Sequence, residues 1–216
     1  MTTVVYTAVY GDYLKLNPPP PLGVSCIAFT DAPQQCYGWD VRLLPRPEET
    51  PRLQAKWPKM HAHELFPEHD TAIWIDAGCR IERADFANAL TQLLGEASMA
   101  FMPHRWRQSI YPEALATLAL PKYARLPVVA QAIAYREMGF PDLSGLAECT
   151  CFVQHPHDPE SIRFMDAWWQ EQVTRTYADQ ISWPFVAWQT GIYPAMLPFD
   201  MAHQDLFSIA EWRGDR

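Results

Sequence analysis

The sequence predicts an α/β domain whose mixed, mainly parallel sheet is flanked by helices. Three observations lead there. Short apolar runs without alternation, such as "TAIWI" at 71–75, read as strands buried on both faces. They alternate with stretches of helical periodicity, the pattern of strands joined by crossover helices. Run after run also stops on polar residues: Tyr6 and Thr7, Thr30 and Asp31, Asp76, His104, and then Glu148. In such sheets ligands bind outside the carboxyl ends of the strands, so these residues are expected to line one crevice.

The elements follow in order. "TTVVYTAVYGDY" is β-branched and aromatic and breaks at Gly11. After the proline run 18–21, "VSCIAFTD" is a second strand and "YGWDVRLL" a third. "PRLQAKWPKMHAHELF" reads as a helix entered after Pro51, carrying Arg52, Lys56 and His61. "TAIWIDAG" is the next strand. In "ADFANALTQLLG" apolar residues at 86, 90, 93 and 94 give a helix, with Asp85 as cap and Gly95 as stop. "SMAFMPH" returns to strand; "PEALATLAL" and the segment from Pro127 to Met138 are helical; "GLAECTCFVQH" is a strand. "DPESIRFMDAWWQEQVTRT" is the clearest helix, capped by Asp158, opened by Pro159, with Ile162, Met165, Trp169 and Val173 on one face. From Asp179 onward the chain is aromatic and irregular, although Asp179-Gln180 before an apolar run reads as a cap of a helix ending near Trp188.

Composition limits the function classes. A chain of 216 residues, expected to form one domain over 1–216, buries roughly 70% of its unfolded surface and needs no metal or disulfide to fold. A net charge of −8 argues against a nucleic-acid partner. Five Cys without CxxC pairs suit a reduced, cytoplasmic protein. No apolar run approaches 18 residues and no leader pattern opens the chain, so neither a membrane span nor a signal peptide is expected.

Asp76 is the first candidate for chemistry. It ends an apolar strand, and Ala77 and Gly78 leave room for a ligand beside it. A carboxylate so placed suits a hard divalent cation, which neutralises a diphosphate. His61, His63 and His69 read as surface residues, since an i, i+2 pair on a helix points to different faces. Asp179 and Gln180 serve equally as cap or as sugar contact. "MPHRWRQSIYPEA" gathers His104, Arg105, Arg107, Tyr111 and Glu113 into a mixed-charge loop, where Arg suits phosphate or carboxylate and an Arg–Glu pairing is the plainer reading. The nine Trp are core residues by default, a few of them platforms for a sugar; His203 stands alone near the C-terminus.

Several stretches together resemble a known family. "VVYTAVYGDYLKL", "CIAFTD", "GWDV", "RLQAKWPKMHAHELFPEHDTAIWIDAG", "MPHRWRQSIYPEA", "GFPDLSGLAE", "DAWWQEQ" and "DQISWPFVAW" occur in the order seen in the glycosyltransferase-like domain of the MUCI and TOD type, found in plants and bacteria. The likeness spans residues 3 to about 190. It implies a single Rossmann-like domain related to the GT-A class, a nucleotide-sugar donor (UDP- or GDP-sugar), a glycan or small-molecule acceptor, a divalent metal (Mn²⁺ or Mg²⁺) and a role in polysaccharide biosynthesis. Carried over by position, Val4 to Thr7 with Tyr10 resemble the border that holds the nucleoside, and Asp31 the group at base or ribose. Arg52 and Lys56 resemble helix residues that approach the donor. Asp76 corresponds to the first Asp of the metal-binding Asp-x-Asp signature; the second is replaced by Gly78. The resemblance implies that His203 joins Asp76 at the metal and that Asp179 and Gln180 contact the transferred sugar. It puts Glu148 beside the acceptor.

The mechanism this implies is stabilisation of the diphosphate leaving group by a cation at Asp76 and His203, aided by Lys56 or Arg52. If the enzyme inverts, Asp179 or Glu148 would be the base toward an acceptor hydroxyl. If it retains, Asp179 and Gln180 would instead steady the sugar while the acceptor attacks from the leaving-group side; the sequence leaves both open. Two other readings stand beside the transferase. A non-catalytic nucleotide-sugar or glycan-binding module fits the missing second Asp. A metal-dependent hydrolase of nucleoside diphosphates would need a denser carboxylate cluster.

Overall fold

The computed structural model describes residues 2–11, 15–46, 49–121, 123–143 and 145–210. Residues 12–14 and 144, which fall within two of the stretches quoted above, lie outside them. Seven strands form the main sheet: β1 (Thr3–Val9), β2 (Ser25–Thr30), β3 (Asp40–Leu43), β4 (Thr71–Ile75), β6 (Met99–Pro103), β7 (Ala147–Gln154) and β8 (Ala195–Met196). A two-stranded antiparallel ribbon pairs β5 (Cys79–Ile81) with β9 (Phe207–Ile209). The helices are α1 (Pro51–Met60), α2 (Ala62–Leu65), α3 (Phe86–Leu94), α4 (Ile110–Leu118), α5 (Val128–Glu137), α6 (Pro159–Thr174) and α7 (Asp179–Thr190).

Strand order is β3-β2-β1-β4-β7-β6-β8. β1, β2, β3 and β4 pair in parallel, as do β6 and β8, while β7 runs antiparallel between β4 and β6. Six strands therefore point one way and one is reversed, the mixed, mainly parallel sheet expected. Reversal of β7 brings its first residues to the edge where the others end. Glu148 is accordingly near the start of a strand rather than its end, yet it shares the edge with Asp76 and His104. Thr7 lies inside β1, two residues short of its end.

Helices cover both faces, which is why all five residues of β4 are buried. One face packs α1, α6 and α7 on Tyr6, Phe29, Trp74, Phe101 and Phe152. The Phe101 and Phe152 rings stack 4.6 Å apart, with Trp168 and Trp183 edge-on to Phe101. The other face packs α3 and the segment Leu197–Phe207 on Val5, Ile73, Ile75 and Val153. A smaller cluster joins α4, α5 and α7. Burying each such aromatic contributes about 2–3 kcal/mol.

Local signals were mostly honoured. Asp158 accepts the Glu160 amide at 2.8 Å and Pro159 opens α6. Asp85 does precede α3, but its carboxylate pairs with Arg83 and caps nothing. The buried face of α6 is Ser161, Phe164, Met165, Trp168, Trp169 and Gln172; Val173 is 40% exposed because the two adjacent Trp rotate the apolar stripe toward them. The stretch from Asp179 is a regular helix through Thr190, ended by Gly191 in the left-handed region. His61 is buried, not on the surface: its ring stacks on Trp57 at 4.4 Å and meets the edge of Trp169. Gly38, at φ +86°, packs so tightly on Pro19 that a Cβ would stand 2.9 Å from its ring, tying the proline run to the turn before β3.

Candidate active site at the carboxyl ends of the strands

Helix α1 sets the geometry. Arg52, Lys56 and Lys59 are spaced four and three apart, so they share one face of that helix. The face is turned toward the first residue of α7 and the end of β4. Lys56 Nζ bonds Asp179 Oδ1, and Lys59 Nζ bonds Asp179 Oδ2 at 2.6 Å. Lys59 Nζ also lies 3.4 Å from Asp76 Oδ1, which accepts the indole N–H of Trp74 at 2.7 Å. Trp74 and Asp76 meet because residues two apart on a strand point to the same face. The indoles of Trp74 and Trp168 flank the Lys59 ammonium at 5.4 and 5.8 Å.

Burial separates the roles of these groups. The Lys59 side chain is 1% exposed, that of Asp179 7%, Lys56 17% and Asp76 44%. Burial alone would raise the Asp179 pKa, but Lys56 and Lys59 reverse it and hold the carboxyl well below the usual range. Burial likewise opposes the charge on Lys59, and Asp179 with Asp76 outweighs it, leaving its pKa raised. For Lys56 burial is the larger effect, Lys59 adds to it, and the pKa is lowered despite Asp179. Asp179 thus has both oxygens taken by ammonium groups, the arrangement of a counter-ion that fixes two lysines. Its side chain caps nothing. Gln180 is half-buried in the same first turn.

Beyond β4, β7 loses register with β6: Phe101 pairs with Phe152, but Met102 pairs with Glu148. The extra residues 149–151 form an irregularity that re-aims the strand end. Glu148 is buried; Oε1 accepts from Arg105 Nε at 2.7 Å, and Oε2 is buried with no partner. His104 is buried too. Its Nδ1 accepts the backbone amides of Trp106 and Arg107, and Nε2 lies 3.3 Å from Glu113 Oε2, which also pairs with Arg107. The Arg–Glu pairing expected in this loop is therefore present.

Other candidates sit elsewhere. Tyr10 is buried and its hydroxyl donates to the Leu44 carbonyl at 2.7 Å. Thr7 is buried with its hydroxyl unpartnered. Asp31 accepts the Gly11 amide at 3.0 Å, fixing the turn after β1. Arg52 is half-buried one turn before Lys56. His203 is 79% exposed on a turn, its ring against Asp200 at 3.0 Å, and the structure does not pair it with Asp76. Among the described residues no three His, Cys, Asp or Glu side chains are grouped to hold a metal. Asp76 by itself still suits a hard cation: it is half-exposed, and its Oδ2 takes no hydrogen bond among the described residues. Such a cation would be held by one carboxylate together with phosphate oxygens of a ligand, a common arrangement for Mg²⁺.

Sequence reasoning missed Lys59 and Trp74. Lys59 sits between Pro58 and Met60, where an apolar neighbourhood suggests core, but its spacing from Arg52 and Lys56 was a usable signal. A shallow depression lined by Thr3, Ser25 and His69 lies at the amino ends of β1 and β2, the opposite edge of the sheet.

Residues 39–208 match the family described as TOD1/MUCI70, glycosyltransferase-like domain. A search of curated proteins found no match. Among solved structures, the apo form of the bifunctional glycosyltransferase WbbM is similar, with a TM-score of 0.51 at 12% identity over 91% of this chain. This chain spans 38% of the length of that one. At such identity the likeness concerns the fold.

Proposed function

The chain belongs to the TOD1/MUCI70 glycosyltransferase-like family, and from that premise we propose that it is a GT-A-type transferase. It moves a sugar from a UDP- or GDP-sugar to a glycan or small-molecule acceptor, in the service of polysaccharide biosynthesis. The observation that carries this reading is the Lys56–Asp179–Lys59–Asp76 array at the end of β4. Two ammonium groups fixed by one buried carboxylate make a preorganised positive field beside a half-exposed acid, and preorganised charge is what a departing diphosphate requires. Lys56, at the outer edge of the array, is the cation that meets the diphosphate, with Arg52 one turn away on the same helix face. Asp76 would hold a divalent cation, which supplies further neutralisation of the leaving phosphate. Asp179 positions the lysines. Glu148 is the carboxylate assigned to the acceptor side, since it has an oxygen without a partner. Thr7 and Asp31 lie at the β1–β2 side, where the nucleoside is assigned.

A second reading, a non-catalytic nucleotide-sugar or glycan-binding module, is favoured by Gly78 in place of the second acid. Calorimetric titration of UDP and GDP, each with and without Mn²⁺, on wild type, Asp76→Ala and Lys56→Ala tests the first. One nucleotide should bind, more tightly with Mn²⁺ in the wild type and in Lys56→Ala but not in Asp76→Ala, and about tenfold more weakly in Lys56→Ala than in the wild type. No binding of either nucleotide overturns the proposal. Binding without turnover of any donor leaves the module.

A further inference from the structure

We propose that Trp106 is a stacking platform for a carbohydrate ring on the acceptor side, an assignment that rests on the transferase reading. Trp74, Trp168, Trp169 and Trp183 are buried, but Trp106 is 70% exposed. It follows β6 directly, at the same sheet edge as Asp76. In the strand order, Asp76 on β4 lies between β1–β2 on one side and β7–β6 on the other. Trp106 therefore stands across Asp76 from Thr7 and Asp31.

The indole is exposed but not loosely held. Its amide and that of Arg107 donate to Nδ1 of the buried His104, at 3.2 and 3.0 Å. The Arg105 guanidinium packs 4.5 Å from the ring centroid and is anchored by buried Glu148; Arg107 lies at 5.9 Å and is anchored by buried Glu113. Two carboxylates in the interior thus fix two cations around one aromatic ring at the surface. Contacts that restrain a surface ring before binding lessen the side-chain entropy it loses on binding. The chemistry suits a sugar: the C–H face of a pyranose stacks on indole, and its hydroxyls meet donors of the guanidiniums held over the same ring. A nucleobase also stacks on an aromatic ring, and the test separates the two.

The experiment is ¹⁹F NMR of the chain labelled with 5-fluorotryptophan, Trp106 being assigned by its loss in Trp106→Phe. The probes are soluble cello-, manno- and xylo-oligosaccharides, and separately UDP and GDP. The Trp106 resonance should shift with at least one oligosaccharide class and stay unmoved by nucleotide. The affinity of that oligosaccharide should fall about tenfold in Trp106→Ala, with nucleotide affinity unchanged. If no oligosaccharide shifts Trp106, or if nucleotide does, the platform assignment is overturned. Failure of nucleotide to bind the wild type at all would instead overturn the transferase reading, whatever Trp106 does.

Discussion

The Lys59 ammonium lies 2.6 Å from Asp179 Oδ2 and 3.4 Å from Asp76 Oδ1, so one buried cation joins the start of α7 to the end of β4. Removing it leaves Asp179 with Lys56 alone in a site where its side chain is only 7% exposed. Lys59→Met is expected to destabilise the fold by about 3–5 kcal/mol, the usual cost of breaking a buried pair. Asp179→Asn strands two lysines and should cost as much. The double mutant should cost less than the two together, because each single change leaves an uncompensated charge that the pair does not. Urea denaturation of the four proteins measures this; additive losses would show that the two residues are not coupled.

Acid should act through the same array. The Asp179 pKa is held below its unfolded value, which is about 3.9. A depressed carboxyl contributes stability that is complete above the unfolded pKa and is lost as pH falls toward the folded one. Glu113, lowered by His104 and Arg107 against the effect of burial, acts with the same sign. The urea midpoint of the wild type should therefore begin to fall below about pH 5 and continue downward. Asp179→Asn, though less stable at neutral pH, should fall less steeply. An equal slope in the mutant would assign the acid sensitivity to other carboxyls.

The thiols should be inert in the folded chain. All five Cys are free. Burial pushes the Cys26 thiol up to about 11 and raises those of Cys79, Cys149 and Cys151 well above the usual thiol range; Cys36 is also raised. Thiolate is the reactive form, so little of it exists near neutrality. Titration with a chromogenic disulfide at pH 8 should show slow reaction of native protein and five rapid equivalents after unfolding. A fast native burst of several thiols would contradict the packing around β7.

The sequence-level reading succeeded where local rules and burial agree. Apolar runs without alternation became strands covered on both faces, and Asp158-Pro159 opened a helix as its chemistry dictates. The shared strand edge was legible because parallel strands must end on one side of the sheet. What could not be read is which charges would find each other: Asp179 looked like a cap or a base, and only the docking of α7 on α1 makes it the partner of Lys56 and Lys59, some 120 residues away. Glu148 reached the edge through the reversal of β7, which no periodicity encodes. His203 was assigned by analogy alone; its ring lies against its own neighbour Asp200.

Trp74 offers the last test, since it orients Asp76 without touching solvent. Its indole N–H donates to Asp76 Oδ1 at 2.7 Å, and the side chain is 3% exposed. Trp74→Phe removes that donor and leaves a void beside Lys59. The void should lower stability by about 1–3 kcal/mol. Losing the donor should free the Asp76 carboxylate to rotate toward Lys59, its remaining partner, and away from the position in which it meets a cation. Under the transferase reading, nucleotide affinity in the presence of Mn²⁺ should then fall roughly tenfold, the lower end of the 10–100-fold commonly lost with an outer-shell partner of a metal ligand. Affinity without Mn²⁺ should hardly change, because Lys56 is untouched. Calorimetry under both conditions, on protein shown by circular dichroism to be folded, gives the answer. An equal loss with and without metal would mean that Trp74 acts only through packing, and that Asp76 is oriented by Lys59 alone.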